Sequence, residues 1–381
     1  MEKFDAAIVK CPDYSIQSVE NALYEALDRI DGLSFVKPGM KIAIKPNLVS
    51  FKKPEDAATT HPALLEALVK KLIALGANVT VGDSPGGPHT LAILNKVYSA
   101  TGMSRLEELG AVLNRDLKQT SAIIENGRAL KELTYTAYLD EADAIIDFCK
   151  LKSHAFMGMS AAVKNLYGVI PGLLKPEMHY RFPNEADFAE MLIDINEFIK
   201  PSLSIMDAVI GMEGNGPLNG DARPIGAIVA SKSAYYCDLV GAELITLDPF
   251  GVPTIKAAYE RGLAPKSAAE LNIFGSIEEL KVGDFAAPPV RGLRFMRKGN
   301  LMHFISSHAL SQRPSLKPAL CVGCAECARM CPAKAIEMKN KKPIIDRKKC
   351  IRCFCCQEFC PKAAMVVHRP IAARILNKLK L

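Results

Sequence analysis

Residues 61–87 read HPALLEALVKKLIALGANVTVGDSPGG, and the reading of this stretch decides the fold. Leu64, Leu65, Leu68, Leu72 and Leu75 recur at helical spacing, Gly76 supplies a stop, and NVTVGD then reads as a strand. Upstream, FDAAIVK (4–10) and KIAIKPN (41–47) also read as strands, so the segment completes a strand, helix, strand unit. Downstream the pattern continues with the strand DAIIDFCK (143–150), the helix NEADFAEMLIDINEFIK (184–200), the strands SLSIMDAV (202–209) and PIGAIVA (224–230), and the helix SAYYCDLVGAELI (233–245). Short β-rich runs alternating with longer helical patterns predict an α/β fold: a mostly parallel open sheet with flanking helices.

The chain has 381 residues, of which 49% are apolar and 23% charged. That is globular composition, with room for two to three domains of roughly 150 residues. No stretch reaches the ~18 uninterrupted apolar residues of a spanning helix. The start, MEKFDAAIVKCPDY, puts charges where a signal peptide needs an apolar run, so a cytoplasmic location is expected. The net charge of +7 is unevenly spread: 16 basic residues face 4 acidic ones from Arg313 onward, against 32 and 37 before it. A basic segment of this kind suits nucleic acid, a membrane surface or an acidic partner. The cysteines point elsewhere, because nine of the 12 fall between Cys321 and Cys360.

CVGCAECARMCP (321–332) and CIRCFCCQEFCP (350–361) share the spacing C-x2-C-x2-C-x3-C-P. Three thiolates at this spacing wrap one face of an iron–sulfur cube, while the fourth leaves on the following helix and reaches the other cube. The repeat predicts two clusters with crossed ligation. It resembles a bacterial two-cluster ferredoxin over about 50 residues. That likeness implies one [4Fe-4S] cluster on Cys321, Cys324, Cys327 and Cys360, and a second on Cys350, Cys353, Cys356 and Cys331. Structural zinc would leave half of each run and both prolines unexplained, and disulfides need an oxidising compartment. Cys355 does not fit the ligand spacing and reads as a buried free thiol, while Cys11, Cys149 and Cys237 read as core residues. The remaining basic charge suits an acidic redox partner. Nucleic acid is not expected, since no basic motif interleaved with aromatics is visible.

In open α/β sheets, ligands gather beyond the carboxyl ends of strands. Here those positions carry Lys45 and Asn47, Asp83 to Gly87, Lys150 to His154, and Glu213 to Asn215, with Lys164 and Asn165 on a short helix. GDSPGG is a tight turn or, with Ser84 and Gly86, a set of backbone N–H groups aimed at an anion. It has neither the Gly-Lys-Ser/Thr of a P-loop nor dinucleotide spacing. Four lysines near strand ends suggest a pocket for an anionic small molecule. His154 is a candidate general acid or a capping side chain, and His61 reads as a helix entry before Pro62. Glu213 is a candidate for proton transfer or simply part of a turn.

Together, KPN, GDSPGG, KLKSHAFMGMSAAVKNLYG and DAVIGMEGNGP resemble the proteins described as domain of unknown function 362, over residues 5 to about 280. The resemblance implies an iron–sulfur redox protein whose α/β domain has no assigned reaction. It also implies that Lys45, Asn47, Asp83, Lys152, His154, Lys164, Asn165, Glu213 and Asn215 line a common pocket, with His154, Glu213 and Lys152 as catalytic candidates. The expected domains are 1–285 (α/β), 286–318 (a connector with an amphipathic helix), 319–368 (a ferredoxin-like α+β domain) and 369–381 (a basic amphipathic tail). Docking of that tail on the protein itself is favoured over membrane-surface contact. Two functions compete: reduction of a molecule held in the pocket, or electron carriage to a partner docked on the α/β domain. The first must reconcile single-electron clusters with two-electron chemistry.

Overall fold

The computed structural model of the protein describes residues 4–287, 312–368 and 370. Fifteen strands are formed among these residues: β1 Ala6–Lys10, β2 Lys41–Pro46, β3 Asn78–Val81, β4 Val112–Leu113, β5 Gln119–Ile123, β6 Glu132–Thr136, β7 Ala144–His154, β8 Gly158–Ser160, β9 Leu203–Glu213, β10 Asp221–Ser231, β11 Ile273–Phe274, β12 Arg313–Leu316, β13 Ile336–Lys339, β14 Lys342–Ile345 and β15 Met365–His368. One sheet takes nine of them in the order β11-β1-β10-β9-β7-β2-β3-β4, with β8 folded back on β7. From β9 through β4 every pairing is parallel, whereas β10 runs antiparallel to both β1 and β9. The sheet is mixed but mostly parallel, as the alternating pattern predicts. The antiparallel insertion follows from β9 and β10 succeeding one another without a crossover helix, a connection that parallel neighbours do not allow.

Side chains alternate across a strand, so each face needs its own cover. On one face Ala7, Ile42, Ile44, Ile146 and Phe148 pack beneath the helices Ile16–Arg29 and Pro62–Ala74. On the other, Ile8, Cys149, Leu151 and Met206 pack beneath Glu185–Ile199, Ala234–Leu244 and Pro253–Glu260. The result is a three-layer α/β/α domain with two cores. Helix Pro62–Ala74 begins as its sequence suggests: His61 accepts from the Ala63 N–H at 3.3 Å and Pro62 occupies the first turn. Leu64, Leu65, Leu68 and Leu72 are fully buried, while Leu75 falls beyond the last turn and is exposed. Cys11, Cys149 and Cys237 are core residues.

The C-terminal module is a pseudo-symmetric α+β unit. β12 pairs with β15, β13 with β14, and each cysteine run ends in a single helical turn, Glu326–Arg329 or Cys355–Glu358. β12 lies in the stretch read as connector, yet its pairing with Met365–His368 makes it part of the module. The helices expected in the connector and the tail fall on 288–311 and 371–381, outside the described residues.

Candidate functional site

Two small hollows in the module sort the cysteines. One is walled by Cys321, Cys324, Cys327 and Cys360, the other by Cys331, Cys350, Cys353 and Cys356. Each hollow takes three thiols from one run and the fourth from the other. Ala325 and Phe354, both at φ 63°, turn the chain at equivalent places in the two loops. The N–H of Ala335 donates to Cys331 Sγ and that of Ala364 to Cys360 Sγ, both at 3.2 Å. Among the described residues no three His, Cys, Asp or Glu side chains close on a point as a single ion requires. The thiols stand around a hollow instead, an arrangement that fits a polynuclear cluster. Cys355 belongs to neither hollow.

A much larger cavity, of about 600 Å³, opens between the module and the carboxyl ends of β2, β3 and β7. Its wall includes Lys45, Asn47, Asp83, Ser84, Gly86, Lys152, Lys164 and Asn165 from the α/β domain. The module contributes Cys355, Glu358, Phe359 and Cys360. Cys360 therefore faces both the first hollow and this cavity. Seven cationic side chains line it against three carboxylates, which leaves its wall with an excess of positive charge.

The inner wall is a hydrogen-bonded lattice. Lys45 Nζ lies 2.9 Å from Asp83 Oδ1 and also donates to the Pro46 carbonyl and Asn165 Oδ1. Asn165 Oδ1 accepts again from Asn47 Nδ2 at 2.8 Å, and Asn47 Oδ1 accepts from Lys152 Nζ at 3.0 Å. Behind them, Asn165 Nδ2 donates to Asp147, whose carboxyl is pushed well above its ordinary range by burial. A Cβ on Gly168 would collide with the Lys45–Asp83 pair, so glycine is required there. Burial, with Lys164 nearby, lowers Lys152 to about 7. The same cause takes Lys175 to about 7, although Asp83 opposes it. Lys164 is lowered too, mainly by burial, with Glu358 acting the other way.

His154 is fully buried and does not line the cavity. Its Nδ1 accepts from the N–H groups of Phe156 and Met157 at 3.1 and 3.2 Å. Burial and Lys164 bring it to about 4, so the ring is neutral and carries its proton on Nε2. That atom stands 3.2 Å from Glu358 Oε1, a contact not aligned as a full hydrogen bond. Burial opposes ionisation of Glu358, but His154, Lys164 and His179 together hold its carboxylate at about 2. His154 thus positions the module rather than reaching a ligand directly. Gln357 reinforces the docking: its Nε2 donates to the Asn215 carbonyl at 2.9 Å, and its own carbonyl accepts from Asn219.

Several residues fall elsewhere. Glu213 does not reach the cavity, because its Oε2 accepts from the Ala286 N–H at 2.9 Å. Asn215 contributes its backbone to the docking contact instead of a side chain to the wall. Lys150 is buried away from the cavity against Asp207, at 2.8 Å, and Tyr14. Two amides of the GDSPGG loop are spent within the fold, that of Ser84 on Gly168 and that of Gly86 on Val49. Conversely, Lys175 and His179 line the cavity without having been singled out in the sequence. The only hint is their spacing in KPEMH, one helical turn apart on Leu174–Arg181.

Fold and site together define a class of protein: an iron–sulfur electron-transfer module docked over the strand ends of an α/β domain. The chain belongs to the family described as domain of unknown function (DUF362), whose model matches residues 42–243. A 4Fe-4S dicluster domain matches residues 313–361 and supports the electron-transfer role. A thylakoid-associated protein of Synechocystis sp. is 32% identical over 311 residues, 78% of this chain and 94% of that one. Among solved structures, the lactate racemase apoprotein of Thermoanaerobacterium thermosaccharolyticum aligns with a TM-score of 0.41 at 13% identity, covering 63% of this chain and 57% of the other. A Thermotoga maritima structural-genomics protein aligns with a TM-score of 0.37 at 12% identity, covering 57% and 54%. The present chain thus spans little more than half of each of these two. Among the described residues, no helix is long and apolar enough to cross a membrane.

Proposed function

We propose that the protein holds two [4Fe-4S] clusters and delivers their electrons to an anionic small molecule in the interdomain cavity. Cys321, Cys324, Cys327 and Cys360 would hold one cluster, and Cys331, Cys350, Cys353 and Cys356 the other. The clusters, when bound, supply single electrons at low potential. The observation that carries the reading is the position of Cys360, a wall residue of both the first hollow and the cavity. Lys152, Lys164 and Lys175 attract and orient the anion. At about 7, Lys152 and Lys175 are also poised to give up a proton at Nζ near neutral pH. Phe359 and Pro361 line the module side of the cavity.

A redox donor fits an exposed edge of the module beside the first hollow. Leu320 and Val322 are exposed there beside Cys321 and the exposed Cys324, with Lys317 and Lys341 in the same segments. An acidic partner would complement that edge, and a cytoplasmic location would keep the thiols reduced. The pure-carrier reading has no use for a cationic cavity beneath a docked module.

The test is anaerobic purification with iron and sulfide analysis, followed by reoxidation of dithionite-reduced protein by small anions. About eight iron per chain is expected from two four-iron clusters, with reoxidation that slows when Lys164 is changed to Met. Iron far below that figure after full reconstitution removes the relay. Reoxidation indifferent to Lys164→Met by every anion tried removes the cavity as the acceptor site.

A further inference from the structure

The charges along the inner wall do not balance, and the imbalance identifies the kind of ligand. Four lysines meet there and face two carboxylates, Asp83 and Glu358. Lys45 is paired with Asp83 at 2.9 Å, and Glu358 shares the cavity wall with Lys164. Lys152 and Lys175 have no carboxylate within ion-pair distance among the described residues. Lys152 donates to Asn47 Oδ1 at 3.0 Å and to the Ala58 carbonyl at 2.8 Å. Lys175 donates to the carbonyls of Ser84, at 2.8 Å, and Ile170. Each ammonium has three N–H bonds and each has found two neutral acceptors, so one donor per lysine is left. Lys45, by contrast, uses all three.

A third group points the same way. His179 is 2% exposed, lines the cavity, and its Nδ1 has no hydrogen-bond partner. Its ring is clamped, stacked on Phe188 at 4.4 Å with the edges of Phe156 and Tyr167 against it. A rigid imidazole with an idle buried nitrogen is a group awaiting a partner. Removing charge from water without a counter-charge is costly, which is why both free lysines are driven toward neutrality.

We propose that the inner end of the cavity is a site for a doubly charged oxyanion, a phosphate ester or a dicarboxylate, held by Lys152 and Lys175 with His179 as a neutral third contact. This deepens, and rests on, the reading of the cavity as the place where the electron acceptor sits. Two negative charges answer the excess of two lysines over Asp83 and Glu358 on the inner wall. A monoanion would leave one of them as it is.

Isothermal titration of the oxidised full-length protein, at about pH 7.5 where phosphate is largely dianionic, tests this without any electron transfer. Phosphate, succinate and acetate serve as probes. At least one dianion should bind about tenfold or more tighter than acetate, and Lys152→Met and Lys175→Met should each remove most of that margin. Lys152→Arg keeps the charge and should retain part of it. Which dianion wins tells whether the site takes one compact phosphate or two separated carboxylates. Unchanged visible cluster absorbance shows that each variant is folded. Acetate binding as tightly as both dianions, or a preference for dianions that survives both Met substitutions, overturns the proposal. Dianion binding with no reoxidation of the reduced protein would leave this site standing and sink the electron-delivery reading instead.

Discussion

Replacing Lys152 by Met should raise the stability of the fold near neutral pH and lower it in alkali. Lys152 is 1% exposed, and its ammonium falls from an ordinary 10.5 to about 7 in the fold. Burial is the main cause; Lys164, Lys150 and Lys45 add to it and Glu358 opposes it. The unfolded chain therefore holds a proton on this nitrogen over a pH range in which the folded chain does not. Below about 7 the folded state bears the whole cost, which is lost progressively as pH rises toward 10.5. At 1.36 kcal/mol per unit, that is roughly 4 kcal/mol near pH 7. The variant escapes it but strands Asn47 Oδ1 and the Ala58 carbonyl, at about 1 kcal/mol each. The balance is a gain of roughly 2 kcal/mol near pH 7 that becomes a loss of roughly 1 kcal/mol near pH 10. Anaerobic thermal unfolding of both proteins across that range reads it directly. At about 2 °C per kcal/mol for a domain of this size, the difference in midpoints should swing by roughly 7 °C. A difference that stays flat with pH would refute the claim that an uncompensated charge sits at this position.

Acid should weaken the fold through two buried histidines and one half-buried one. His61, His154 and His179 are lowered by burial from 6.5 to about 4, 4 and 3. Their contribution is intact above 6.5 and is lost as pH falls toward 4; His179→Phe should move the acid-unfolding midpoint down, read by circular dichroism. Gly168→Ala drives a methyl into the Lys45–Asp83 pair and should cost about 3 kcal/mol, measured as a fall in melting temperature. Cys355→Ser should leave the iron content of the purified protein unchanged, whereas Cys356→Ser or Cys360→Ser should lower it by about half; equal losses in all three would mean that the spacing rule fails here.

What the sequence disclosed, and what it hid, follows from the range of the interactions involved. Leu64 to Leu72 and the two cysteine runs are local patterns, legible because a helix face and a cluster-binding loop are each made by neighbours in the chain. Lys45, Lys152 and Lys164 stood out by position at strand ends, and their convergence follows from the parallel order β7-β2-β3. Their charge states were not legible. Glu358, the counter-ion that Lys164 meets, arrives 194 positions later on another domain, and the Asp83 that neutralises Lys45 lies 38 positions on. Glu213 looked like a proton donor and is instead tied to the backbone at Ala286, in the stretch leading out of the α/β domain.

The same long-range pairing bears on the choice between a mobile carrier and a fixed relay. A module that swings between donor and acceptor needs a weak, wet, uncommitted interface. Here Gln357 is fully buried, bonded to the 215–216 turn. Phe359 sits so close to Gly86 that an added Cβ would lie 2.6 Å from its ring. Glu358 is held ionised in a buried setting by groups of the α/β domain, and undocking would strip Lys164 of its counter-charge. Each contact penalises separation, and each lies on the short helix Cys355–Glu358 or next to it, in the same run as Cys356 and Cys360. The contacts that set the module's position thus also set the distance from Cys360 to the lysines, which favours a fixed relay into the cavity.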